Sequence, residues 1–245
     1  MSSSRHFQGS STVNLINQHR RAKAHNSPGR RAVRLGILAT AGLTVVATAA
    51  TAEAVTTNNV SHGVAVADNS ISTLANPGRP TQFLDTFTVH QDGALYAAAA
   101  SNSARANSYD CTAASPCRSI ALSFQIITMA GTNIHLNAQN VSHAANHDCA
   151  GCQTLAGAWQ FIVSTPEPFT LSASAQSRLA AIHRSLDALG RSAAPVSTIQ
   201  QQADALAAQV QSILQAAAAT APKGPGVNAL TAQAPTVTLH RMLAS

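Results

Sequence analysis

The chain has 245 residues, of which 45% are apolar and only 4% aromatic, so large side chains for a buried core are scarce. Its formal net charge is +6, but seven of the fifteen lysines and arginines precede residue 55, and the remaining chain has eight basic and eight acidic residues. A phosphate-binding surface needs clustered cations. The composition therefore excludes DNA and RNA as partners of residues 55–245.

The first 54 residues predict an export leader. Residues 1–34 are polar and basic, residues 35–52 carry no charge, and small residues in A-x-A order follow at 50–54. This order is typical of a secretory signal peptide, so we expect cleavage near Val55 and a secreted, extracytoplasmic protein. The alternative is an uncleaved membrane anchor, although a spanning helix needs about 20 apolar residues. The pattern leaves the choice between the general and the twin-arginine export route open.

The next segments predict a linker and then a hairpin. Residues 55–80 are small and polar and end in Asn-Pro-Gly-Arg-Pro, which is typical of a linker. Alternating apolar residues follow from Phe83 to Val89. Asp92-Gly93 is a turn signal, so we expect a β-hairpin whose second strand lies at 94–100.

Two apolar segments predict helices. Cys117–Met129 and Cys152–Val163 each place large apolar residues at i, i+4 and i+7, which is the spacing of a buried helical stripe. The alternating segment between them, Thr132–Val141, predicts a strand.

The C-terminal third predicts a helical hairpin. Four apolar residues at helical spacing precede Gly190, which can end the first helix. A second helix is predicted within 191–216, where Ile199, Leu206 and Val210 share a face. Residues 217–245 are rich in Ala, Thr, Pro and Gly, so we predict a disordered tail there.

An internal repeat is the most informative pattern. Cys117–Ile127 aligns without a gap to Cys152–Ile162, and the preceding Asp-Cys and Ala-x-Asn motifs also recur. The repeated unit is interpreted as strand, Cys, loop, Cys, helix, and two copies are too few for a solenoid. The sequence therefore predicts an α+β fold, in which a small sheet and two Cys-initiated helices are followed by the helical hairpin. Residues 81–190 would hold the duplicated domain and the first C-terminal helix.

The paired cysteines before an Ala-x-x-x-Gln segment, together with the later segment Arg178–Arg184, resemble a family of exported actinobacterial proteins. Members are often labelled as peptide zinc metalloprotease proteins, and the resemblance covers roughly residues 83–214. It implies a module associated with a peptide zinc metalloprotease. The first pair here has five intervening residues, whereas the family spacing is the two found between Cys149 and Cys152.

Four cysteines in an exported chain predict two disulfides. Three connectivities are open, and the repeat favours the local pairs Cys111–Cys117 and Cys149–Cys152. One alternative is a structural zinc ion held by these four cysteines, since zinc takes four sulfur or nitrogen ligands. Another is a thiol–disulfide redox site at Cys149-x2-Cys152, because a helix N-terminus lowers the pKa of a thiol.

The sequence contains no recognisable catalytic motif. H-E-x-x-H, the G-x-S-x-G elbow and a phosphate loop do not occur in it. We therefore identify no catalytic or cofactor-binding residue and interpret Gln125, Trp159 and Gln160 as core residues. The chain is interpreted as a non-catalytic structural or interaction module. Its partner would be a protein or another component of the cell envelope, with membrane contact only through an uncleaved leader.

Overall fold

The computed structural model describes residues 55–56, 60–224 and 234–245, so the leader predicted at residues 1–54 lies outside the described part. Strands dominate this part of the chain. In chain order the elements are β1 (Val55–Thr56), β2 (Val60–Ser61), β3 (Val64–Ala75), β4 (Thr81–Ala94), β5 (Ala97–Tyr109), β6 (Arg118–Ala130), β7 (His135–His147), β8 (Gln153–Thr165), α1 (Ala173–Leu189), α2 (Val196–Ala219) and β9 (Thr236–Ala244).

The six long strands β3 to β8 alternate between two sheets. Strands β4, β6 and β8 are parallel neighbours in one sheet, which β9 extends antiparallel to β8 and β1 extends beside β4. Strands β3, β5 and β7 are parallel neighbours in the other sheet, where β2 pairs with the start of β3. Each coil of the chain thus contributes one strand to each sheet. This architecture is a flattened β-solenoid of three coils.

Small and polar side chains fill the space between the two sheets. Asn69, Asn102 and Asn140 occupy one register position and form a ladder. The side-chain amide of Asn69 donates to Asn102 Oδ1 at 3.2 Å, and the side-chain amide of Asn102 donates to Asn140 Oδ1 at 2.8 Å. Around the ladder the buried residues are mostly alanines: Ala65, Ala67, Ala98, Ala100, Ala104, Ala106, Ala121, Ala156 and Ala158. The alanine content of the sequence therefore builds a thin interior between two closely packed sheets.

The large apolar side chains lie on the opposite face of the β4–β6–β8 sheet. Phe87, Phe124 and Trp159 share one register position, with ring centroids 5.8 Å and 4.7 Å apart along the row. Helices α1 and α2 cover this face and contribute buried side chains to it, among them Leu179, Ile182, Leu186, Ile199, Val210 and Leu214. We call the β4–β6–β8 sheet the covered sheet. We call the β3–β5–β7 sheet the open sheet, because no helix of the described residues lies on its outer face.

The predicted fold class is wrong. The two segments expected to form Cys-initiated helices are strands β6 and β8 of the covered sheet. Both strands are buried on both faces, by the helices on one side and by the open sheet on the other. The alternation of apolar and polar residues that marks a half-buried strand is therefore absent from both segments. Periodicity alone cannot distinguish such a continuous apolar run from a buried helix. The two C-terminal helices, in contrast, are present as α1 and α2.

The residues matched in the sequence alignment are neighbours in the structure. Ala121 is the register partner of Ala156, Phe124 of Trp159, and the Ala-x-Asn motifs of β5 and β7 also pair. A third coil, β3 and β4, precedes these two, so a solenoid is formed despite the expectation from two copies. Its Ala67-x-Asn69 motif is the signal that could have revealed it.

Three further expectations differ from the structure. Asp92-Gly93 does not form a hairpin turn, because β4 and β5 belong to different sheets and the chain crosses between them. Residues 55–80, interpreted as a linker, include the twelve-residue strand β3. The tail at 217–245, interpreted as disordered, includes β9. The alternation of Thr236-Val237-Thr238-Leu239 is a strand signal that the compositional argument overlooked.

Candidate functional sites

The two disulfides close the arcs that lead from the open sheet to the covered sheet. Cys111 is bonded to Cys117 between β5 and β6, and Cys149 to Cys152 between β7 and β8, so the chain has no free cysteine. These are the local pairs that the repeat favours. The residue before each first cysteine, Asp110 or Asp148, has a positive φ, which turns the chain out of its strand.

The two arcs stack on each other. The backbone N–H of Gln153 donates to Cys117 O at 2.8 Å, and the backbone N–H of Ala150 donates to Cys111 O at 3.2 Å. All four sulfur atoms lie within 4.8 Å of one another. If they were reduced, the same four cysteines would lie close enough for a tetrahedral zinc site. The zinc alternative therefore stays a prediction that depends on the oxidation state of the protein.

The redox alternative loses its argument from a helix N-terminus and otherwise stays a prediction. It required Cys149-x2-Cys152 to stand at the N-terminus of a helix, where the aligned backbone dipoles lower the pKa of a thiol. Cys152 instead precedes β8, and a strand supplies no comparable dipole. The pair is positioned to brace an arc of the solenoid.

A surface concavity of about 290 Å³ lies between α1 and α2 and is lined by Arg178, Ala181, Ile182, Ser185, Gln209, Ser212 and Ile213. This lining contains no acid, histidine or cysteine to act as a general base or metal ligand.

The outer strand β7 presents an unpaired edge. No strand of the described residues lies on its far side, although all thirteen of its residues pair with β5 on the near side. The backbone N–H of His135 donates to Tyr96 O at 2.9 Å. The backbone N–H groups of the odd-numbered residues of β7 therefore point toward β5, and those of the even-numbered residues point away from it. Proline, lysine and bulges commonly protect such edges, but β7 has none of them.

Strand β9 forms a ledge below this edge. The side-chain amide of Asn140 donates to Ala158 O of β8 at 2.9 Å and to His240 O of β9 at 2.8 Å. Strand β7 therefore faces β8 and β9 together, and β9 extends past the edge of β7. His240 is the register partner of the inward-facing Gln160, so alternate residues of β9 face the open-sheet side. Four of these are exposed and form what we call the β9 ledge: Thr236, Thr238, His240 and Met242.

Apolar side chains are also exposed on the outer face of the open sheet. Val66, Leu74 and Val141 are each about half exposed, at 46%, 49% and 47%. The corresponding face of the covered sheet is buried under the helices. Sequence reasoning missed this asymmetry, because it did not recognise that β6 and β8 are sheet strands with two buried faces.

The chain matches no protein-family model, no curated protein and no solved structure at a significant level. The resemblance to exported actinobacterial proteins and the metalloprotease association that it implies therefore stay predictions. Among the described residues, no helix is both long enough and apolar enough to cross a lipid bilayer. Disulfides are compatible with an extracytoplasmic protein. The fold and these sites define a disulfide-braced β-solenoid with one covered and one open sheet.

Proposed function

We propose that the chain is an exported, non-catalytic interaction module that binds an extended segment of a partner protein along the edge of β7. The observation that carries the proposal is the open thirteen-residue edge above the β9 ledge. Backbone groups that lack partners on a regular edge strand are a template for an added strand. The leader predicted from the sequence of residues 1–54 and the two disulfides support export of the module.

The surroundings of the edge favour an uncharged partner segment with small residues. Strand β7 has no lysine, arginine, aspartate or glutamate. The partner's inward-facing side chains would follow the rows of Ala138 and Ala144, which are filled by small residues in the neighbouring strand. Backbone hydrogen bonds would supply the affinity, and the narrow space above the β9 ledge would select against bulky residues.

The ledge also argues against a second copy of the chain as the occupant. Two β7 strands that paired edge to edge would bring their covered sheets together as well. Because β9 extends past β7, the two β9 strands would then compete for the same space. A single extended segment adds to the open sheet only and avoids this overlap.

The test removes one edge donor. The amide of Ser142 points away from β5, so Ser142→Pro deletes an outward N–H, a change that edge strands tolerate. Ser142→Ala is the matched control, because it keeps that N–H. The exported protein is used to select binders from a random twelve-residue peptide display library, and their affinities for the two variants are compared.

We expect peptides with alternating small residues whose affinity falls at least about tenfold for Ser142→Pro, since one lost hydrogen bond is worth about 1 kcal/mol and the ring also obstructs the edge. Ser142→Ala should bind them as the unaltered protein does. Selection of no peptide, or equal binding to both variants, contradicts the proposal. A fold check of Ser142→Pro by circular dichroism ensures that a loss of binding reports on the edge.

Export is tested separately. The N-terminal sequence of protein from the culture medium should begin between about Glu53 and Val55, where the A-x-A pattern places the cleavage site. Full-length chain held in the membrane fraction would contradict this part of the proposal.

A further inference from the structure

Asp85 is an acidic residue in the interface between the covered sheet and α1, where most of the buried side chains are apolar. It lies on β4 between Phe83 and Phe87, on the face that the helices cover, and only 8% of its side chain is exposed. Burying a carboxylate is costly unless a compensating charge or several hydrogen bonds accompany it. The position therefore calls for an explanation.

Two side chains of α1 approach this carboxylate. His183 and Asp187 are one helical turn apart and share a face. His183 Nε2 lies 3.4 Å from Asp85 Oδ2, and the ring of His183 stacks on Phe87 with centroids 5.1 Å apart. One potential ligand atom from each of Asp85, His183 and Asp187 lies within 4.8 Å of the other two. A rigid strand and a rigid helix thus bring an imidazole and two carboxylates together.

The polar atoms of this group are incompletely satisfied. Buried Asp85 Oδ2 has the His183 imidazole at ion-pair distance but accepts no well-aligned hydrogen bond among the described residues, and buried His183 Nδ1 lacks a hydrogen-bond partner there. Two carboxylates meet at one imidazole here, with Arg191 as a further charge near Asp187. A divalent cation bound between the carboxylates would relieve their mutual repulsion.

We propose that Asp85, His183 and Asp187 bind a divalent transition-metal ion of the zinc class, which fastens α1 to β4. A nitrogen ligand with two carboxylates suits Zn²⁺ and its neighbours, whereas Mg²⁺ and Ca²⁺ prefer oxygen ligands alone. Asp187 is only half-buried, so water reaches this side and completes the coordination. The site is separate from the β7 edge and from the cysteines, and it does not depend on the proposed function.

The test measures zinc binding to the full, exported protein by calorimetry after treatment with a chelator. The protein is kept oxidised, and absence of free thiols is verified first, so that the cysteines cannot contribute zinc ligands. Asp187→Asn is the main variant, because Asp187 stands outside the Asp85–His183 ion pair and its replacement preserves shape. Asp68→Asn, on the exposed outer face of the open sheet, is the control.

We expect one zinc per chain, an affinity at least about tenfold weaker in Asp187→Asn, and no change in Asp68→Asn. Zinc should also raise the melting temperature of the unaltered protein and of Asp68→Asn more than that of Asp187→Asn, since a ligand of the folded state stabilises it. Magnesium at the same concentration should have a much smaller effect. The proposal is overturned if the oxidised protein binds no zinc, or if Asp187→Asn binds it as tightly as the control.

Discussion

The side-chain amide of Gln160 donates a hydrogen bond to Gln125 Oε1 across 2.8 Å, and both side chains are fully buried. The two residues are register partners in β8 and β6. The Gln125 amide in turn donates to Ala67 O and Ser101 O of the open sheet, each at 3.0 Å. A short chain of amide hydrogen bonds therefore joins the strands of one sheet and ties the two sheets together.

Replacing Gln125 by alanine should destabilise the fold strongly. Gln125→Ala removes the donor for Ala67 O and Ser101 O and the acceptor for Gln160 at a fully buried position, where an unsatisfied polar group costs about 1–3 kcal/mol. We expect the free energy of unfolding to fall by about 3 kcal/mol or more, measured by urea denaturation. Gln139→Ala, on the exposed face of β7, is the control and should change it by less than about 0.5 kcal/mol. Similar losses for the two variants would show that the amide chain contributes little.

A second prediction concerns the glycine beneath the buried tryptophan. A Cβ atom at Gly157 would overlap Cη2 of Trp159 and lie 3.1 Å from a methyl of Leu243. Gly157→Ala therefore forces the indole to move in a close-packed core, which costs about 1–3 kcal/mol. The shift should be visible as a lower melting temperature and a changed tryptophan fluorescence spectrum. Gly78→Ala, at a turn where the nearest atom is 3.3 Å away, should leave both measurements nearly unchanged.

Sequence reasoning located the strongest signals but misread their geometry. It matched the residues of β6 with those of β8 correctly, because neighbours in a parallel solenoid occupy equivalent environments. It assigned a helix to both, because a strand buried on two faces has no alternation to reveal it. The cysteine pairs were predictable, since the repeat places one pair in each arc. The group formed by Asp85, His183 and Asp187 was not predictable, because Asp85 on β4 and His183 on α1 are 98 residues apart in the sequence.

The stability of the protein should depend on pH through Asp92. This residue lies where the register of β4 shifts, its side chain is largely buried, and Oδ2 has no hydrogen-bond donor among the described residues. Burial raises the pKa of Asp92 from 3.8 to about 6. The folded state therefore holds a proton that the unfolded state has released between these two values, and stability falls as the pH rises from about 4 to 6.

Asp92→Asn should remove this contribution. We expect the variant to be more stable than the unaltered protein at pH 7, by roughly 1–2 kcal/mol once residual hydration is allowed for, and equally stable near pH 3.5. Asp68→Asn provides the exposed control and should follow the unaltered protein across the range. Urea denaturation at several pH values measures the difference, and parallel curves for Asp92→Asn and the unaltered protein would refute the assignment.

The last prediction distinguishes the possible roles of the cysteines. If the two disulfides are structural braces, the double replacement Cys149→Ser and Cys152→Ser should remove one short loop closure from the unfolded state. The entropy of a four-residue loop corresponds to about 2 kcal/mol, so the melting temperature should fall while the solenoid stays folded. The corresponding replacement of Cys111 and Cys117 closes a slightly longer loop and should cost about the same or a little more.

The zinc and redox alternatives give different results in the same preparation. A zinc site uses all four cysteines together, so chelation alone would unfold the domain, because binding of a structural zinc is coupled to folding. A redox site would make Cys149 and Cys152 cycle, while Cys111 and Cys117 stay oxidised. Thiol counting together with elemental analysis separates these cases. Both are carried out on the Asp187→Asn variant, so that zinc bound at the site of Asp85, His183 and Asp187 is not counted with zinc bound by the cysteines. Structural disulfides predict no thiol before reduction and four after it. Four free thiols with one zinc per chain would contradict them, because a disulfide-bonded sulfur is not the thiolate that zinc requires.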